Sequence, residues 1–335
     1  MKAWEVQPGA SGLEDLKLVE RDDPEPGPGQ VLVRVKATSI NARDQAIIGG
    51  RYRMGAITRP TIILSDGAGE VVDVGDGVSQ FAAGGRVAGT FVQGWVDGAY
   101  RAEYRGRAMG VPLDGTLAEL MVLNESGLVP IPEYLSLEEA ATLPCAAVTA
   151  WNALYRSQPL IAGQWVLLIG TGGVSLFGLL FAKAAARVII LSSSDAKLER
   201  ARALGADQTI NYMTTPDWAD AVRAASEGGV HHVLEVGGGT LPQSIQALAL
   251  GGQIHQIGFV AGREVPLNAP AFVGAFARLN SVLVGSRASF EDMNLAMIAA
   301  KIKPVVDKSF AFDEAHAAFE YQKSTALFGK VVITV

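Results

Sequence analysis

The sequence has 335 residues, of which 49% are hydrophobic and 19% are charged; this balance is typical of a compact protein of one or two domains. A formal net charge of −6 provides no basic surface for nucleic acid. Cys145 is the only cysteine, which excludes an internal disulfide and a cysteine-rich zinc lobe. The polar N-terminus and the lack of an apolar run of spanning length predict a cytoplasmic protein without a membrane segment.

The first 125 residues alternate short apolar stretches with glycine-rich turns. Predicted strands cover residues 16–21, 31–37, 69–74, 86–89 and 115–123. The segment 31–37 alternates apolar and charged residues, as a half-buried strand does. Because this region lacks the strand–helix rhythm of a parallel sheet, we predict a small β-barrel.

A long loop is predicted over residues 94–115, where glycines are interleaved with arginines and aromatic residues. Loops of this length are either functional or simple surface excursions. Trp95, Tyr100 and Tyr104 in this loop therefore either line a substrate pocket or serve as packing residues.

The middle of the chain changes character. Residues 137–155 predict two helices that are broken at Pro144. Strands and helices then alternate from 165 to 285, which indicates a doubly wound parallel sheet. Its predicted strands are residues 165–169, 187–191, 230–236, 253–257 and 282–284. A strand around Phe310, a helix over 313–323 and a strand over 330–335 then indicate a return to the first domain.

A glycine turn follows the strand 165–169 and precedes a helix predicted over 176–186. The turn consists of Gly170, Thr171, Gly172, Gly173 and Val174. Gly170 allows the tight turn, and Gly172 lets the backbone approach a pyrophosphate at the helix N-terminus. Ser175 stands where the third glycine of the dinucleotide fingerprint is usual. The following strand completes a βαβ unit, so we predict a dinucleotide site; a methyltransferase-type nucleotide site is the alternative.

Five patches of the sequence carry a resemblance to a known family. They are residues 41–44 (NARD), 65–70 (SDGAGE), 84–89 (GGRVAG), the turn that starts at 170, and 328–332 (FGKVV). In this order and spacing they resemble the zinc-free, quinone-oxidoreductase-like branch of the medium-chain dehydrogenase/reductases. The resemblance covers essentially the whole chain.

The resemblance implies an α/β Rossmann domain, a doubly wound parallel sheet, inserted in a GroES-like β-barrel domain. Residues 1–125 and 302–335 would form the GroES-like domain and 126–301 the Rossmann domain. The active site would lie in the cleft between them. An apolar strand over 281–285 would lie at the edge of the Rossmann sheet and pair with a second copy, so we expect a homodimer.

The sequence predicts no metal site. Zinc-dependent relatives have a cysteine in the patch that contains Asn41 and a histidine in the patch 65–67. The histidines of this chain lack ligand spacing, and we interpret them as packed or surface residues: His231, His232, His255 and His316. Without zinc, an alcohol has no Lewis acid to lower its pKa. Reduction of an electron-poor acceptor is therefore favoured over oxidation of simple alcohols.

The coenzyme is predicted to be NADPH. NAD-binding Rossmann domains carry an acidic residue about 20 positions after the first glycine. Here the end of the second strand is formed by three hydroxyl residues, Ser192, Ser193 and Ser194. Lys197 and Arg200 follow, and hydroxyl groups beside cations suit a 2′-phosphate. Ser194 or Asp195 also serves as a helix cap. Asp195 could instead be the acidic residue at the strand end, so NADH remains the alternative coenzyme. By resemblance, Tyr212 lies near the adenosine.

The resemblance also assigns the reacting end of the site. Asn41 would bind the nicotinamide ribose or the substrate, while Asp44 either takes part in the chemistry or holds the loop through backbone amides. Tyr52 or water would donate the proton. Thr149 would lie beneath the nicotinamide or bond a carbonyl one turn back in its own helix.

Further coenzyme contacts follow the ends of later strands. Gly258 and Phe259 would contact the nicotinamide ring. Ser286, Arg287 and Lys330 would reach coenzyme or substrate, with a solvated role equally open for the two basic residues.

Together these features predict an NADPH-dependent oxidoreductase that transfers hydride to a quinone or an α,β-unsaturated carbonyl, a small electrophilic substrate. A metal-free reductase of aldehydes or ketones is the alternative within the same class. A non-catalytic protein that uses bound NADPH as a sensor or structural ligand is the alternative of a different class.

Overall fold

The computed structural model describes residues 1–52, 57–156, 158–260, 262 and 264–335. Tertiary contacts divide the chain into two compact units. The β unit comprises Met1–Val148 and Val284–Val335, and the Rossmann unit comprises Thr149–Leu283. None of the helices in the described ranges is both long and apolar enough to cross a bilayer.

The strands, in chain order, are β1 (Lys2–Val6), β2 (Lys17–Glu20), β3 (Gln30–Ile40), β4 (Thr61–Ile62), β5 (Asp66–Val74), β6 (Arg86–Gly89), β7 (Leu120–Asn124), β8 (Leu128–Pro130), β9 (Trp165–Ile169), β10 (Arg187–Ser192), β11 (Gln208–Asn211), β12 (Val230–Glu235), β13 (Leu248–Gln256), β14 (Arg278–Ser281), β15 (Val306–Ala311) and β16 (Lys330–Thr334).

The α-helices are α1 (Ala42–Ile48), α2 (Leu137–Ala140), α3 (Val148–Tyr155), α4 (Gly173–Ala182), α5 (Asp195–Ala203), α6 (Trp218–Ala225), α7 (Leu241–Gln246), α8 (Ala269–Gly274), α9 (Arg287–Ala300) and α10 (Ala315–Gln322). Short 3₁₀ turns occur at Leu13–Asp15, Ala102–Tyr104, Glu125–Gly127 and Phe312–Glu314. A π-helical segment, Leu143–Ala147, contains Pro144 and separates α2 from α3. The predicted interruption at Pro144 is therefore confirmed.

The described part of the β unit is built on two sheets. The larger sheet has the order β15-β16-β3-β5-β6-β8, with β7 also paired to β3, and the smaller has the order β2-β1-β4. β3 is the central strand, and its alternating pattern buries Val31, Val33 and Val35 against one core. The C-terminal strand β16 pairs antiparallel with β3. This pairing confirms that the end of the chain returns to the first domain.

The Rossmann unit contains a parallel sheet of six described strands in the order β11-β10-β9-β12-β13-β14. β9 lies next to both β10 and β12, so the strand order reverses there. The residues of β9 are buried throughout, as expected for a strand covered on both faces. Ligands of such sheets bind beyond the carboxyl ends of the strands at this switch point.

One predicted strand is wrong, and one predicted helix has displaced bounds. The strand predicted over 282–284, and the edge strand over 281–285, do not exist, because the edge strand β14 ends at Ser281. Beyond it Val284 has a positive φ of 43°, which extended strands do not allow. The helix predicted over 176–186 is α4, which starts at Gly173 and ends at Ala182. Its start was misplaced because three residues placed before the helix, Gly173, Val174 and Ser175, already belong to its first turn.

The unit boundaries differ from the predicted domain boundaries at 125/126 and 301/302, because the segments beyond them contact each other within the β unit. The Tyr134 hydroxyl donates to the carbonyls of Met297 at 2.9 Å and Ile302 at 2.7 Å. The Asn294 side-chain amide donates to the carbonyl of Pro130 at 3.0 Å. Helix α9 is thereby tied to the β unit.

Candidate active site

The glycine turn after β9 leaves open space at the start of α4. Gly170 has a φ of 77°, in the region that favours glycine. Gly172 is the N-cap of α4 and has no side chain to cap the first helical N–H groups. A Cβ added at Gly172 would meet no atom within 4 Å. The first N–H groups of α4 and this space suit a phosphate, so the turn fits the pyrophosphate of a dinucleotide.

Close packing between α4 and the sheet comes from a glycine that the sequence interpretation missed. The Ser175 hydroxyl, at the usual place of the third glycine, donates to the Ile169 carbonyl at 2.8 Å. Gly178, one turn later, would place a Cβ 2.9 Å from side-chain atoms of Leu168 and Leu234. Ser175 therefore ties the helix to β9, and Gly178 allows their close approach. The helical spacing of Gly178 from the turn was the available signal.

The end of β10 brings the three predicted serines together. Ser192 is buried, Ser193 is exposed and Ser194 is the N-cap of α5 without a side-chain cap hydrogen bond. The nearby carboxylate of Asp195 accepts a hydrogen bond from the Asn211 side-chain amide at 2.7 Å. The capping role considered for Ser194 is therefore absent.

Four more predicted residues lie in a helix or after strands of this unit. Tyr212 follows β11, and its N–H donates to the Ser192 carbonyl at 3.1 Å. Gly258 and Phe259 lie beyond the carboxyl end of β13, where Phe259 is exposed. Thr149 is buried in α3, the first residue of the Rossmann unit.

Glu235, at the carboxyl end of β12, is a functional candidate that the sequence interpretation missed. It is fully buried, and its Oε1 accepts from the N–H groups of Gly237 and Gly238 at 2.8 and 3.0 Å. The hydroxyls of Thr240 and Ser244 donate to its two carboxylate oxygens, both at 2.5 Å. These bonds fix the loop after β12 at the same sheet edge as the glycine turn. An apolar strand that ends in Glu before a glycine run was the available signal.

In the β unit, Asn41 and Lys330 lie in one buried polar cluster with Ser65 and Asp66. The Lys330 ammonium donates to the carbonyl of Ile40 at 2.8 Å and to Asn41 Oδ1 at 2.6 Å. It also lies 3.6 Å from Asp66 Oδ2. Asn41 Nδ2 lies 3.5 Å from Ser65 Oγ, which donates to Asp66 Oδ1 at 2.8 Å. The cluster forms because β16 and β3 pair at Val331 and Ile40, next to β5.

Asp44 is fully buried one turn into α1. The N–H of Asn41 donates to Asp44 Oδ2 at 2.8 Å, the contact expected of a loop-holding carboxylate. Burial raises the pKa of Asp44 to about 6, and Asp66 acts in the same direction, while Arg43, the Asn41 N–H and Lys330 oppose it.

Arg43 and Tyr52 form a second group beside α1. The Arg43 guanidinium lies 4.9 Å from the ring centroid of Tyr52 and 4.7 Å from that of Phe91. It donates to the carbonyls of Met109 at 2.7 Å and Val111 at 3.1 Å. Arg43, which the sequence interpretation left without a role, therefore holds the end of the long loop against α1 and Tyr52.

The aromatic residues of the long loop pack on one another. The ring centroids of Trp95 and Tyr100 are 5.2 Å apart, and those of Trp95 and Tyr104 are 6.2 Å apart. The carbonyls of Trp95 and Val96 accept from the first N–H groups of α9, those of Arg287 and Ala288, at 2.9 Å each. Through these two carbonyls the loop caps the N-terminus of α9, while its aromatic side chains contact one another.

Ser286 and Arg287 have partners within the β unit. Ser286 is the N-cap of α9, and its hydroxyl accepts from the Ser289 N–H at 3.2 Å. The Arg287 guanidinium donates to Glu291 at 2.8 Å and to Gln80 at 2.6 Å.

The donors in the polar cluster do not fit zinc. Among the residues that the structure describes, no three His, Cys, Asp or Glu residues are grouped so that they could hold a metal ion. Around Asn41 the available groups are an amide, a hydroxyl, the Lys330 ammonium and the carboxylates of Asp66 and Asp44, of which Asp44 already accepts from the Asn41 N–H; a zinc site needs three or four strong ligands. Burial raises the pKa of the nearby Cys145 thiol, as does Asp66, which disfavours a thiolate ligand.

Two of the four histidines form a buried pair in the Rossmann sheet. His232 Nδ1 and His255 Nε2 are 3.1 Å apart, and His232 also contacts Gln164 at 3.1 Å. Burial lowers the pKa of His232 to about 4 and of His255 to about 3, so both are neutral at pH 7. His231 Nδ1 accepts from the Trp165 N–H at 3.2 Å, and His316 Nε2–H donates to the Leu16 carbonyl at 3.0 Å. His232 and His255 are therefore buried packing residues, His231 is half-buried, and His316 is an exposed surface residue.

Comparison with known proteins agrees with this architecture. Residues 27–133 match the family described as alcohol dehydrogenase GroES-like domain, and residues 173–300 match the family described as zinc-binding dehydrogenase. A zinc-type alcohol dehydrogenase-like protein of Schizosaccharomyces pombe is 45% identical, over 97% of this chain and 96% of the relative.

Solved structures are similar over the full length. A cobalt- and zinc-bound thermostable alcohol dehydrogenase from Pyrobaculum aerophilum is 29% identical with a TM-score of 0.85, over 100% of this chain and 99% of the other. A quinone oxidoreductase from Pseudomonas syringae pv. Tomato DC3000 is 26% identical with a TM-score of 0.84, also over 100% and 99%.

The chain therefore belongs to the medium-chain dehydrogenase/reductase family, with a GroES-like domain and a Rossmann domain. Within that family of pyridine-nucleotide dehydrogenases it is an alcohol dehydrogenase-like oxidoreductase.

Proposed function

We propose that this protein is an NADPH-dependent reductase of quinones or α,β-unsaturated carbonyl compounds that works without a metal ion. The observation that carries the choice of acceptor is the donor set around Asn41. It holds a buried ammonium and an amide, Lys330 and Asn41, where a metal-dependent alcohol dehydrogenase needs strong metal ligands. Such a site suits an acceptor that is already polarised and needs no Lewis acid.

The Rossmann unit would hold the coenzyme, which supplies a hydride from its nicotinamide when bound. The residues for its pyrophosphate are the glycine turn and the first N–H groups of α4. The loop fixed by Glu235 and the residues Gly258 and Phe259 follow strands of the same sheet edge and would position the nicotinamide.

The preference for NADPH is supported by the end of β10. Ser193 is exposed and Ser194 makes no side-chain cap hydrogen bond. The carboxylate of Asp195, the group that would bind the ribose hydroxyl of NADH, is bonded to Asn211 at 2.7 Å. Hydroxyls with Lys197 one turn later suit a 2′-phosphate.

The β unit would bind the acceptor. Asn41 would hydrogen-bond its oxygen, on which negative charge develops as the hydride adds to carbon and the π electron pair moves to oxygen. A proton from Tyr52 or from water would complete the reduction. Arg43 would position Tyr52 through its contact with the ring.

The test is a steady-state panel with NADPH and NADH against quinones, enones, aldehydes and ketones, together with alcohol oxidation in the reverse direction. We expect NADPH with a quinone or an enone to give kcat/KM at least tenfold above NADH and above every aldehyde. Faster oxidation of alcohols would instead favour the alcohol dehydrogenase function that the names of relatives suggest. Tight binding of NADPH without turnover of any acceptor would favour the sensor.

Two variants of α5 sharpen the coenzyme test. Lys197→Ala should raise KM for NADPH without a comparable change for NADH, because only NADPH carries the 2′-phosphate. Arg202→Ala is the matched control, since Arg202 lies on the same helix and is ion-paired with Glu199. Equal effects of Lys197→Ala on both coenzymes would contradict a phosphate contact.

We also propose a homodimer formed at the edge of the Rossmann sheet. β14 is the edge strand and pairs only with β13 among the described strands. Val273, Phe276 and Leu279 on and before it are 69%, 71% and 44% exposed. An open strand edge beside exposed apolar side chains is a surface that tends to pair.

A further inference from the structure

Lys330 is a buried cation: its side chain is 4% exposed, and its ammonium contacts the side chains of Asn41 and Asp66. Its ammonium donates to Asn41 Oδ1 at 2.6 Å and to the Ile40 carbonyl at 2.8 Å. Asp66 Oδ2, at 3.6 Å, balances its charge. A buried charge is costly unless it is paired and hydrogen-bonded, and Lys330 is both.

The contacts of Lys330 determine which way the Asn41 amide is turned. A lysine ammonium has three donors and no acceptor, so the amide atom that faces it must be Oδ1 and not Nδ2. On the other side of the amide, the Ser65 hydroxyl gives its hydrogen to Asp66 Oδ1 at 2.8 Å. Ser65 Oγ can therefore only accept from Asn41 Nδ2.

This arrangement leaves Nδ2 with donor capacity. The amide group carries two N–H donors, and its contact with Ser65 Oγ is 3.5 Å long, beyond the usual range of N–H···O bonds. The hydrogen bond from a cation to Oδ1 also polarises the amide and strengthens its N–H groups as donors. Asn41 is 9% exposed, so a ligand that reaches it would be largely desolvated there.

We propose that Lys330 is a positioning residue that fixes the Asn41 amide with Nδ2 as the donor to the oxygen of the acceptor. This inference rests on the proposed function, and it narrows the substrate to compounds whose oxygen accepts a hydrogen bond as the hydride adds. Lys330 acts through Asn41 and touches neither coenzyme nor substrate. This differs from both roles considered from the sequence, a direct contact with coenzyme or substrate and a solvated side chain.

The first test compares two variants of Asn41 with a substrate that wild type reduces. Asn41→Asp keeps the shape and a partner for Lys330, but it replaces the N–H donors with an acceptor. Asn41→Ala removes the group altogether. We expect both variants to lower kcat by roughly 100-fold, the usual effect of losing one such donor, with KM for the coenzyme changed much less. Retention of kcat within threefold in Asn41→Asp would overturn the donor role.

The second test asks whether Lys330 acts through Asn41. Lys330→Met should lower kcat at least tenfold, and in the Asn41→Ala background it should lower kcat by less than threefold more. Multiplying effects would overturn the inference. Lys308→Met is the control, because Lys308 is exposed on the neighbouring strand β15 and should leave kcat unchanged. If Lys330→Met does not fold, the double variant Lys330→Met/Asp66→Asn replaces it in the test, because it removes both buried charges.

A structural readout separates this inference from the proposed function. In protein labelled with ¹⁵N-asparagine, the side-chain N–H₂ signals of Asn41, assigned through Asn41→Asp, should shift in Lys330→Met and remain in place in Lys308→Met. Unchanged signals in Lys330→Met would overturn the positioning role even if quinone reduction is observed. If the wild-type protein turns over no acceptor, the proposed function is wrong. The orientation of the Asn41 amide is still tested by these signals.

Discussion

Asp44 shows how a residue with a clear sequence motif acquires its energetic role from burial. The sequence identified it within the patch 41–44 and left open whether it reacts or holds the loop. In the structure, one carboxylate oxygen accepts from the Asn41 N–H, and the other, Oδ1, is buried without a hydrogen-bond partner among the described residues. The ionised form is thus poorly solvated.

This burial predicts the pH dependence of stability. The pKa of Asp44 in the folded protein, about 6, is above the ordinary value of 3.8. The folded state therefore binds the proton more tightly, and stability falls as pH rises through this window. Asp66 acts with burial, while Arg43 and Lys330 oppose it.

Asp44→Asn should remove this loss. Relative to wild type, the free energy of unfolding of the variant should increase as the pH rises from 4 to 7. The increase should approach about 3 kcal/mol, because each unit of difference between the folded and unfolded pKa of Asp44 contributes roughly 1.4 kcal/mol. Urea unfolding at several pH values measures the difference. Asp15→Asn is the control with the opposite sign, because the backbone N–H groups of Ser11 and Gly12 lower the pKa of Asp15. A constant difference between Asp44→Asn and wild type would contradict the argument.

At the scale of elements, the strand–turn–helix from β9 to α4 was predicted from its sequence, with an error at the helix start. The apolar run 165–169 and the glycines that follow define the order of the elements by themselves. The sequence could not identify Gly178 as the residue of close approach, because that role depends on Leu234 in β12, far along the chain.

Gly172 allows binding and folding to be separated within this element. A Cβ at Gly172 meets no atom, and its φ of −81° suits any residue, so Gly172→Ala should fold with an unchanged melting temperature. The methyl group would enter the space proposed for the pyrophosphate, and we expect the Kd for NADPH to rise at least tenfold in a fluorescence titration.

Gly170→Ala is the matched control for this prediction. Gly170 has a positive φ of 77°, where alanine costs about 1 kcal/mol or more, so this variant should lower the melting temperature. Unchanged affinity for NADPH in Gly172→Ala would show that the coenzyme does not approach the turn.

At the scale of the whole molecule, the proposed homodimer gives a further prediction. We propose that the pairing surface is the edge strand β14 with the exposed Val273 and Leu279, rather than residues 281–285 as predicted from the sequence. Val273→Glu/Leu279→Glu should abolish the dimer, because two copies would bury like charges. Light scattering at micromolar concentration should give the mass of a dimer for wild type and of a monomer for the double variant.

Leu295→Glu provides the control for the dimer. Leu295 is 67% exposed and lies on α9 of the β unit, so its substitution should leave the mass unchanged. A monomeric wild type would refute the proposed dimer.

The sequence by itself indicated the family, through the resemblance of its five patches, and it predicted most of the elements and the turn beside β9, because these depend on local spacing and on periodicity. It could not determine what Lys330 does, since the partners of its ammonium lie on strands almost the whole chain away and meet it only when β16 pairs with β3. The same holds for Arg43, whose guanidinium donates to the carbonyl of Met109, 66 residues further along the chain. Tertiary structure decided these roles because a buried charge must find its hydrogen bonds in space.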